Sequence, residues 1–172
     1  MTEHIKYSWG RSSLGAFVVA ASARGLVAFE FADDPARGLQ ALRDRAPDAE
    51  LTEDPEKLAD LVRRLSALAE DPAAAAEIPL DPRGSAYELG VWRMLREVPR
   101  GETTSYGALA AKLGTRDARD VTAAIAANGI AILIPCHRVV KKDGSISGYR
   151  WGVRRKKALL ERERAALPFR LT

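Results

Sequence analysis

Residues 131–144 read AILIPCHRVVKKDG and hold the chain's only cysteine, Cys136, with His137 directly after it. An apolar run and a proline precede the pair. Taken alone, the stretch has two readings. Lone cysteines are often inert and buried, and AILIP supplies an apolar setting. A thiol beside an imidazole can also be a nucleophile with its base. Adjacent residues on a helical turn do not face each other, so a bridging water would have to carry the proton. A carboxylate would then be needed to orient the ring.

Downstream, residues 153–167 read as a helix. Val153, Leu159, Leu160 and Leu167 fall within about 120° of one another on the wheel. Glu163 sits in the middle of that apolar stripe, and Glu161 points well away from it. A carboxylate on a buried stripe needs a partner, either one of the many arginines or the histidine. Upstream, SYGALAAKLG and TRDARDVTAAIAANG predict two short helices, with Gly114 between them and Gly129 after the second. Two helices around a tight turn are compatible with a helix-turn-helix, as is any packed helix pair. On the second helix, Ala118, Val121 and Ile125 share the expected core face. Arg119, Thr122, Ala123 and Ala126 lie opposite. Apart from the arginine these side chains are small, a surface that a groove or backbone can approach closely.

Further out, Ser85 and Glu88 form a capping box ahead of YELGVWRMLREV, with Val91, Leu95 and Val98 on one stripe. The proline-rich segment 71–84 predicts a linker. Before it, GAFVVAAS and GLVAFEFA predict a hairpin turning at residues 22–25. DPARGLQALRDRA and DPEKLADLVRRLSALAE predict two helices, the second with Leu58, Leu61, Leu65 and Leu68 on one face. The expected division is an N-terminal domain over residues 1–78 and a C-terminal domain over residues 85–172.

The 172 residues, 47% hydrophobic and 29% charged, describe an ordinary globular chain. The N-terminus has no apolar signal core and no run spans a bilayer, so a cytoplasmic address is expected and a membrane partner is not. One cysteine and two histidines exclude an internal disulfide and disfavour structural zinc. No cofactor motif occurs. A formal charge of +4 suits a polyanionic partner only mildly. Its distribution is more specific: VKKDG and RWGVRRKK place cations on both sides of SISGY, close to the cysteine.

IPCHRVV resembles the active-site motif of the O6-alkylguanine-DNA alkyltransferases, the methylated-DNA–protein-cysteine methyltransferases. The resemblance extends over PLDPRGSAYELGVWRMLREVPRGETTSYGALAAKLG, AIAANGIAILIPCHRVV and SGYRWGVRRKKALLERE, which are similar to the C-terminal half of the bacterial adaptive-response protein. It is looser over the first 70 or so residues. It implies an α+β chain: a ribonuclease-H-like α/β N-terminal domain, then a mostly helical domain with a winged helix-turn-helix-like element. It further implies a monomer, associated with the nucleoid, that binds double-stranded DNA containing O6-alkylguanine through the minor groove and flips the base out. By motif, Cys136 would be the alkyl acceptor, His137 the water-relayed base and Glu163 its orienter. Asn128 would support the site, Tyr106 would help turn the nucleotide out, and Arg119 would fill the gap in the duplex. The cysteine-rich activator domain of the adaptive-response protein and the zinc ligands of the human member are not found in this chain.

Dealkylating an aryl-type ether needs a soft nucleophile, and a thiolate is the best that a side chain offers. His137 and Glu163 are expected to hold the thiol below its ordinary pKa of roughly 8.5. The product would be a thioether, so each molecule would act once. Two rivals differ in outcome: a lesion-binding module that transfers nothing, and a cysteine hydrolase that turns over. At the pocket, Tyr149 is followed by Arg150 and Trp151, where the human member has small residues. Both bulky side chains are expected to narrow the wall, admitting a methyl group and resisting a benzyl group.

Overall fold

The computed structural model describes residues 1–74, 76–114 and 117–166. Four strands form the first sheet. β1 (His4–Ser12) pairs antiparallel with β2 (Gly15–Ala21), and β2 pairs antiparallel with β3 (Leu26–Phe31) as the two apolar runs predict. α1 (Pro35–Arg45) follows, with Asp34 accepting from the Ala36 amide as its N-cap and Pro35 at the first turn. The chain then returns as β4 (Glu50–Glu53), parallel to β1, for a strand order β3-β2-β1-β4. β1 and β4 are too polar and too short, respectively, to stand out in the sequence. α2 (Ala59–Glu70) begins later than its DPEKL opening predicts. Asp54 is instead drawn to Lys6 on β1, 2.8 Å away, and to the Lys57 amide.

The sheet is buried on both faces, which is why its central strands are apolar throughout rather than alternating. Ile5, Val18, Ala20, Val27 and Ala28 pack with Leu42 of α1. Phe17, Val19, Phe29 and Phe31 face the other way, into a core that includes Leu65 and Leu68 of α2. That second core also holds Val91, Trp92 and Leu95 from α3 (Ala86–Leu95), whose capping box is formed as expected. β5 (Thr104–Ser105) leads into α4 (Tyr106–Leu113), which ends at Gly114 in the left-handed conformation, φ 68°. α5 (Ala118–Ala126) packs against α3 and α4, and Trp92 Nε1 donates to the Ala124 carbonyl at 2.8 Å. A 3₁₀ turn, Cys136–Arg138, runs into β6 (Val139–Val140), parallel to β5. α6 (Val153–Ala165) closes the described chain.

Both halves of the chain therefore contribute to one core, and their backbones also join. The Leu26 amide donates to Pro79 and the Phe29 amide to Gly129, so the linker and the segment after α5 both lie along the free edge of β3. The linker is pinned rather than loose: Ile78 is buried, and Asp81 accepts from Ser22 and Arg83. Two wheel assignments shift. Ala118 is exposed because it opens α5, and Ala124 takes its place beside Val121 and Ile125. Val153, at the first position of α6, is 48% exposed rather than on the buried stripe. Leu167 lies outside the described residues. Among the described residues no helix is long and apolar enough to cross a membrane.

Candidate functional site

The 3₁₀ turn places Cys136 and His137 inside the protein, 3% and 0% exposed. Asn128, just past α5, is buried and bridges three backbone groups and the thiol. Its Oδ1 accepts from the Ile130 amide, and its Nδ2 donates to the Ile130 and Ile134 carbonyls and to Cys136 Sγ at 3.3 Å. The approach to the cysteine is thereby tied to the end of α5. Ile132, within that approach, holds a left-handed backbone, φ 66°, which is costly for a β-branched residue and persists because its surroundings enforce it.

Behind the thiol, Glu163 accepts from His137 Nε2 at 2.6 Å and from Arg138 Nε and Nη2 at 3.0 and 2.8 Å. Burial alone would raise this carboxyl, but the hydrogen bonds from His137 and Arg138 outweigh it and hold the pKa down at about 2. An ionised carboxylate only accepts, so Nε2 of His137 must carry the proton. Burial depresses the imidazole's own pKa against the pull of Glu163, so the ring is neutral at pH 7. Nδ1 is then a bare acceptor, and it is buried with no hydrogen-bond partner among the described residues. That is the electronic state of a base. Glu161 is exposed, as the wheel predicts.

The thiol differs from expectation. Burial pushes it up to about 11, against weaker opposing effects from Asn128 and Lys156. A low-dielectric pocket penalises the thiolate more than these groups stabilise it. At neutral pH the cysteine is thus held as the thiol.

Cys136 contributes to a largely apolar cleft of about 410 Å³, which also includes Tyr106, Ile125, Tyr149 and Arg150. Two members of the small-residue face of α5, Thr122 and Ala126, line the same cleft, while Ala123 and Arg119 are exposed beside it. The Arg119 side chain is 91% exposed and paired with Asp117, the N-cap of its own helix, at 2.8 Å. Tyr106 shares a 2.7 Å hydrogen bond with Ser147. The Tyr149 hydroxyl is buried with no partner among the described residues, and burial raises its pKa well above the ordinary value.

Trp151 does not line this cleft. It is buried behind the wall, edge-on to Tyr149 and Phe31 at 5.2 and 6.5 Å between ring centres. An aromatic chain thus runs from Phe17 and Phe29 in the sheet through Phe31 and Trp151 to Tyr149 at the cleft. Arg150 does line it, and is tied to Glu30 of β3 at 2.8 Å.

Two further residues of the site do not stand out in the sequence. Lys156 is fully buried, with Nζ donating to the Gly148 carbonyl at 3.2 Å and lying 5.9 Å from the centre of the Tyr106 ring. Burial lowers its pKa. It stands three and seven residues before Leu159 and Glu163, so the same helical stripe marks it. Arg138 is the second, marked only by its place after His137. Among the described residues, no group of three or more His, Cys, Asp and Glu side chains is placed to hold a metal ion.

A buried thiol at an apolar cleft, with a buried neutral imidazole next to it in the chain and an exposed helix face of small residues along the cleft, defines a cysteine-centred site. Comparison with known proteins makes this specific. The family model described as 6-O-methylguanine DNA methyltransferase, DNA binding domain, matches residues 86–165. The inducible methylated-DNA–protein-cysteine methyltransferase of Bacillus subtilis is 36% identical over 87% of this chain and 85% of its own. The Escherichia coli bifunctional transcriptional activator/DNA repair enzyme Ada is 42% identical over 92% of this chain, which spans only 45% of that protein's length. The Mycobacterium tuberculosis OGT, solved in complex with DNA, superimposes with a TM-score of 0.77 at 31% identity, covering 96% of this chain and 95% of that one. The chain belongs to the methylated-DNA–protein-cysteine methyltransferase family.

Proposed function

We propose that this protein repairs DNA by moving an alkyl group from O6-alkylguanine in a duplex to Cys136, once per molecule. The observation that carries this reading is that the Cys136 thiol and the small-residue face of α5 share one cleft. A base turned out of a groove held against Thr122, Ala123 and Ala126 would arrive directly at the sulfur. His137 Nδ1 takes the thiol proton through a water, and Glu163 stabilises the imidazolium that forms. The thiolate attacks the alkyl carbon in line, and the carbon–O6 bond breaks with its electron pair going to guanine. The proton that His137 took returns to the guanine through water, leaving the imidazole neutral again, and the thioether stays on Cys136. Asn128 holds the sulfur, Tyr106 acts on the nucleotide as it turns, and Tyr149 and Arg150 border the base.

In this reading residues 1–78 form a ribonuclease-H-like support. Residues 85–172 form the DNA-binding and alkyl-acceptor domain, with α4 and α5 as a helix-turn-helix in the minor groove. The protein works as a monomer on chromosomal DNA in the cytoplasm. Incubation with a methylguanine duplex, followed by intact-mass measurement, is expected to show one methyl per protein and no turnover. No transfer would favour a lesion-binding module, and repeated turnover would favour a hydrolase.

Arg119→Ala should slow repair of a duplex by about tenfold or more while barely changing reaction with the free modified base. Among the described residues the guanidinium's ion-pair partner is half-buried Asp117, and a pair with so exposed an arginine contributes little and can be exchanged for DNA. Duplex affinity should also fall as salt rises. Equal losses of rate on duplex and free base would remove Arg119 from the gap-filling role.

A further inference from the structure

β3 contains one charged residue, Glu30, in the run LVAFEF. It lies opposite Val18 on the α1 side of the sheet and is 3% exposed. One carboxylate oxygen accepts from Arg150 Nε at 2.8 Å; the other is buried with no hydrogen-bond partner among the described residues. Such a site is costly for a carboxylate unless a cation holds it. Packing alone would be served better by a leucine. Arg45 of α1 lies close enough to feel both charges, but its Nε has no partner among the described residues and its Nη1 donates to the Arg83 carbonyl. Among the described residues, the ion pair that satisfies Glu30 is the one with Arg150.

Arg150 is a partition. On one side it lines the cysteine cleft. On the other it lines a second hollow of about 400 Å³, where Asp33 and Asp34 also lie. Besides Glu30, its described holders are weak: the Ala126 carbonyl at 3.4 Å and the Trp151 ring at 5.9 Å. The hollow's Asp33 and Asp34 are paired with Arg155 and Arg37, which also line it, so its charges are balanced and Glu30 is what fixes the guanidinium in place. Released from Glu30, the guanidinium has open volume to withdraw into, and that movement widens the cleft.

We propose that Glu30 is a positioning residue that pins Arg150 in the cleft wall and thereby makes the first sheet set the size of alkyl group accepted. The inference rests on the alkyl-transfer reading above. The alkyl group must lie between the guanine and the sulfur, so a wall residue that cannot yield crowds a benzyl group and spares a methyl group. The test measures single-turnover rates on two duplexes that differ only in carrying O6-methylguanine or O6-benzylguanine. Glu30→Gln and Glu30→Leu are both made, because the leucine variant leaves no polar group to bury. Each is expected to raise the benzyl-to-methyl rate ratio about tenfold, with the methyl rate within about threefold of the starting protein. A purely structural role would slow both substrates together and leave the ratio alone. Adding Arg150→Ala to Glu30→Leu should change the ratio by less than about threefold, since Glu30 acts through that side chain. An unchanged ratio in both single variants overturns the proposal, as does a large further rise in the double variant. If the starting protein takes up no methyl group at all, the transfer reading itself fails, and the inference falls with it.

Discussion

Cys136→Ala is expected to abolish alkyl transfer while leaving binding to an alkylated duplex within a few-fold of the starting protein. The chain has no second thiol to substitute, so the loss should be complete rather than partial. The cost to the fold should be small. Asn128 keeps its bonds to Ile130 and Ile134 when the sulfur is removed, so no buried donor is stranded. Binding should survive because the exposed face of α5 carries Arg119, Thr122, Ala123 and Ala126 and does not depend on the thiol. Intact mass after incubation with a methylguanine duplex, and a binding titration on the same preparation, check both halves. A methyl adduct on the variant would place the acceptor elsewhere. Loss of all duplex affinity in a variant with an unchanged melting temperature would mean that the sulfur itself anchors the base.

Much of this site can be read from residue spacing, and what cannot be read has physical causes. The wheel separates Glu163 from Glu161 because a 3.6-residue period distinguishes positions two apart, and the structure buries the first and exposes the second. The same period points to Lys156, but a lysine on an apolar stripe reads as snorkelling, with its stem buried and its charge in water. Only the tertiary structure shows the Gly148 carbonyl that receives the buried ammonium. Val153 fails the wheel because first-turn positions of a helix are often left uncovered by the core they point toward. Trp151 fails as a wall residue for a different reason: residues 149–151 are irregular backbone, so no period assigns a direction to consecutive side chains. The turn sends Tyr149 and Arg150 to the cleft and Trp151 to the sheet.

The fold shows the same division. The β2–β3 hairpin, α1 and the α3 capping box follow local rules and were legible. β1 is too polar to stand out although its partner β2 follows directly. β4 and the edge pairing of Gly129 and Pro79 with β3 are not legible, because they depend on partners far away in sequence. This non-local pairing carries functional weight. It attaches the end of α5, and with it Asn128, to the sheet that bears Glu30 and Phe31. The sheet does not line the cleft, but it backs the cleft wall through the Glu30–Arg150 pair and the Phe31–Trp151 contact. The thiol's pKa divides in the same way: local neighbours argue for a lowered value, whereas burial, a property of the whole fold, raises it to about 11.

Glu163→Gln is expected to slow transfer by roughly a hundredfold and to destabilise the protein, and the two effects separate by pH. For the rate, a thiol near 11 leaves about one part in 10⁴ as thiolate at pH 7, so transfer depends on His137 taking the proton. General bases contribute about 10²–10⁴ in rate, and a glutamine no longer offers the charge that stabilises the imidazolium. The variant's rate should therefore climb more steeply with pH than that of the starting protein, as hydroxide replaces the lost base. For stability, the folded carboxyl sits at about 2 against an ordinary 4.5. A depressed folded pKa stabilises the fold above the unfolded value. That stability is fully present above pH 4.5 and is lost as pH falls toward 2, amounting to about 3 kcal/mol. Removing the charge also leaves buried Arg138 without its counter-ion and sets an amide NH2 where one of its acceptor oxygens stood, which adds to the cost. Thermal melts should show a drop of about 10 °C at pH 7. The gap between the two proteins should narrow steadily from pH 4.5 downward, because the starting protein loses what the variant never had. A gap that stays constant down to pH 2 would show that Glu163 is not ionised in the fold, and an unchanged pH–rate profile would remove it from the proton relay.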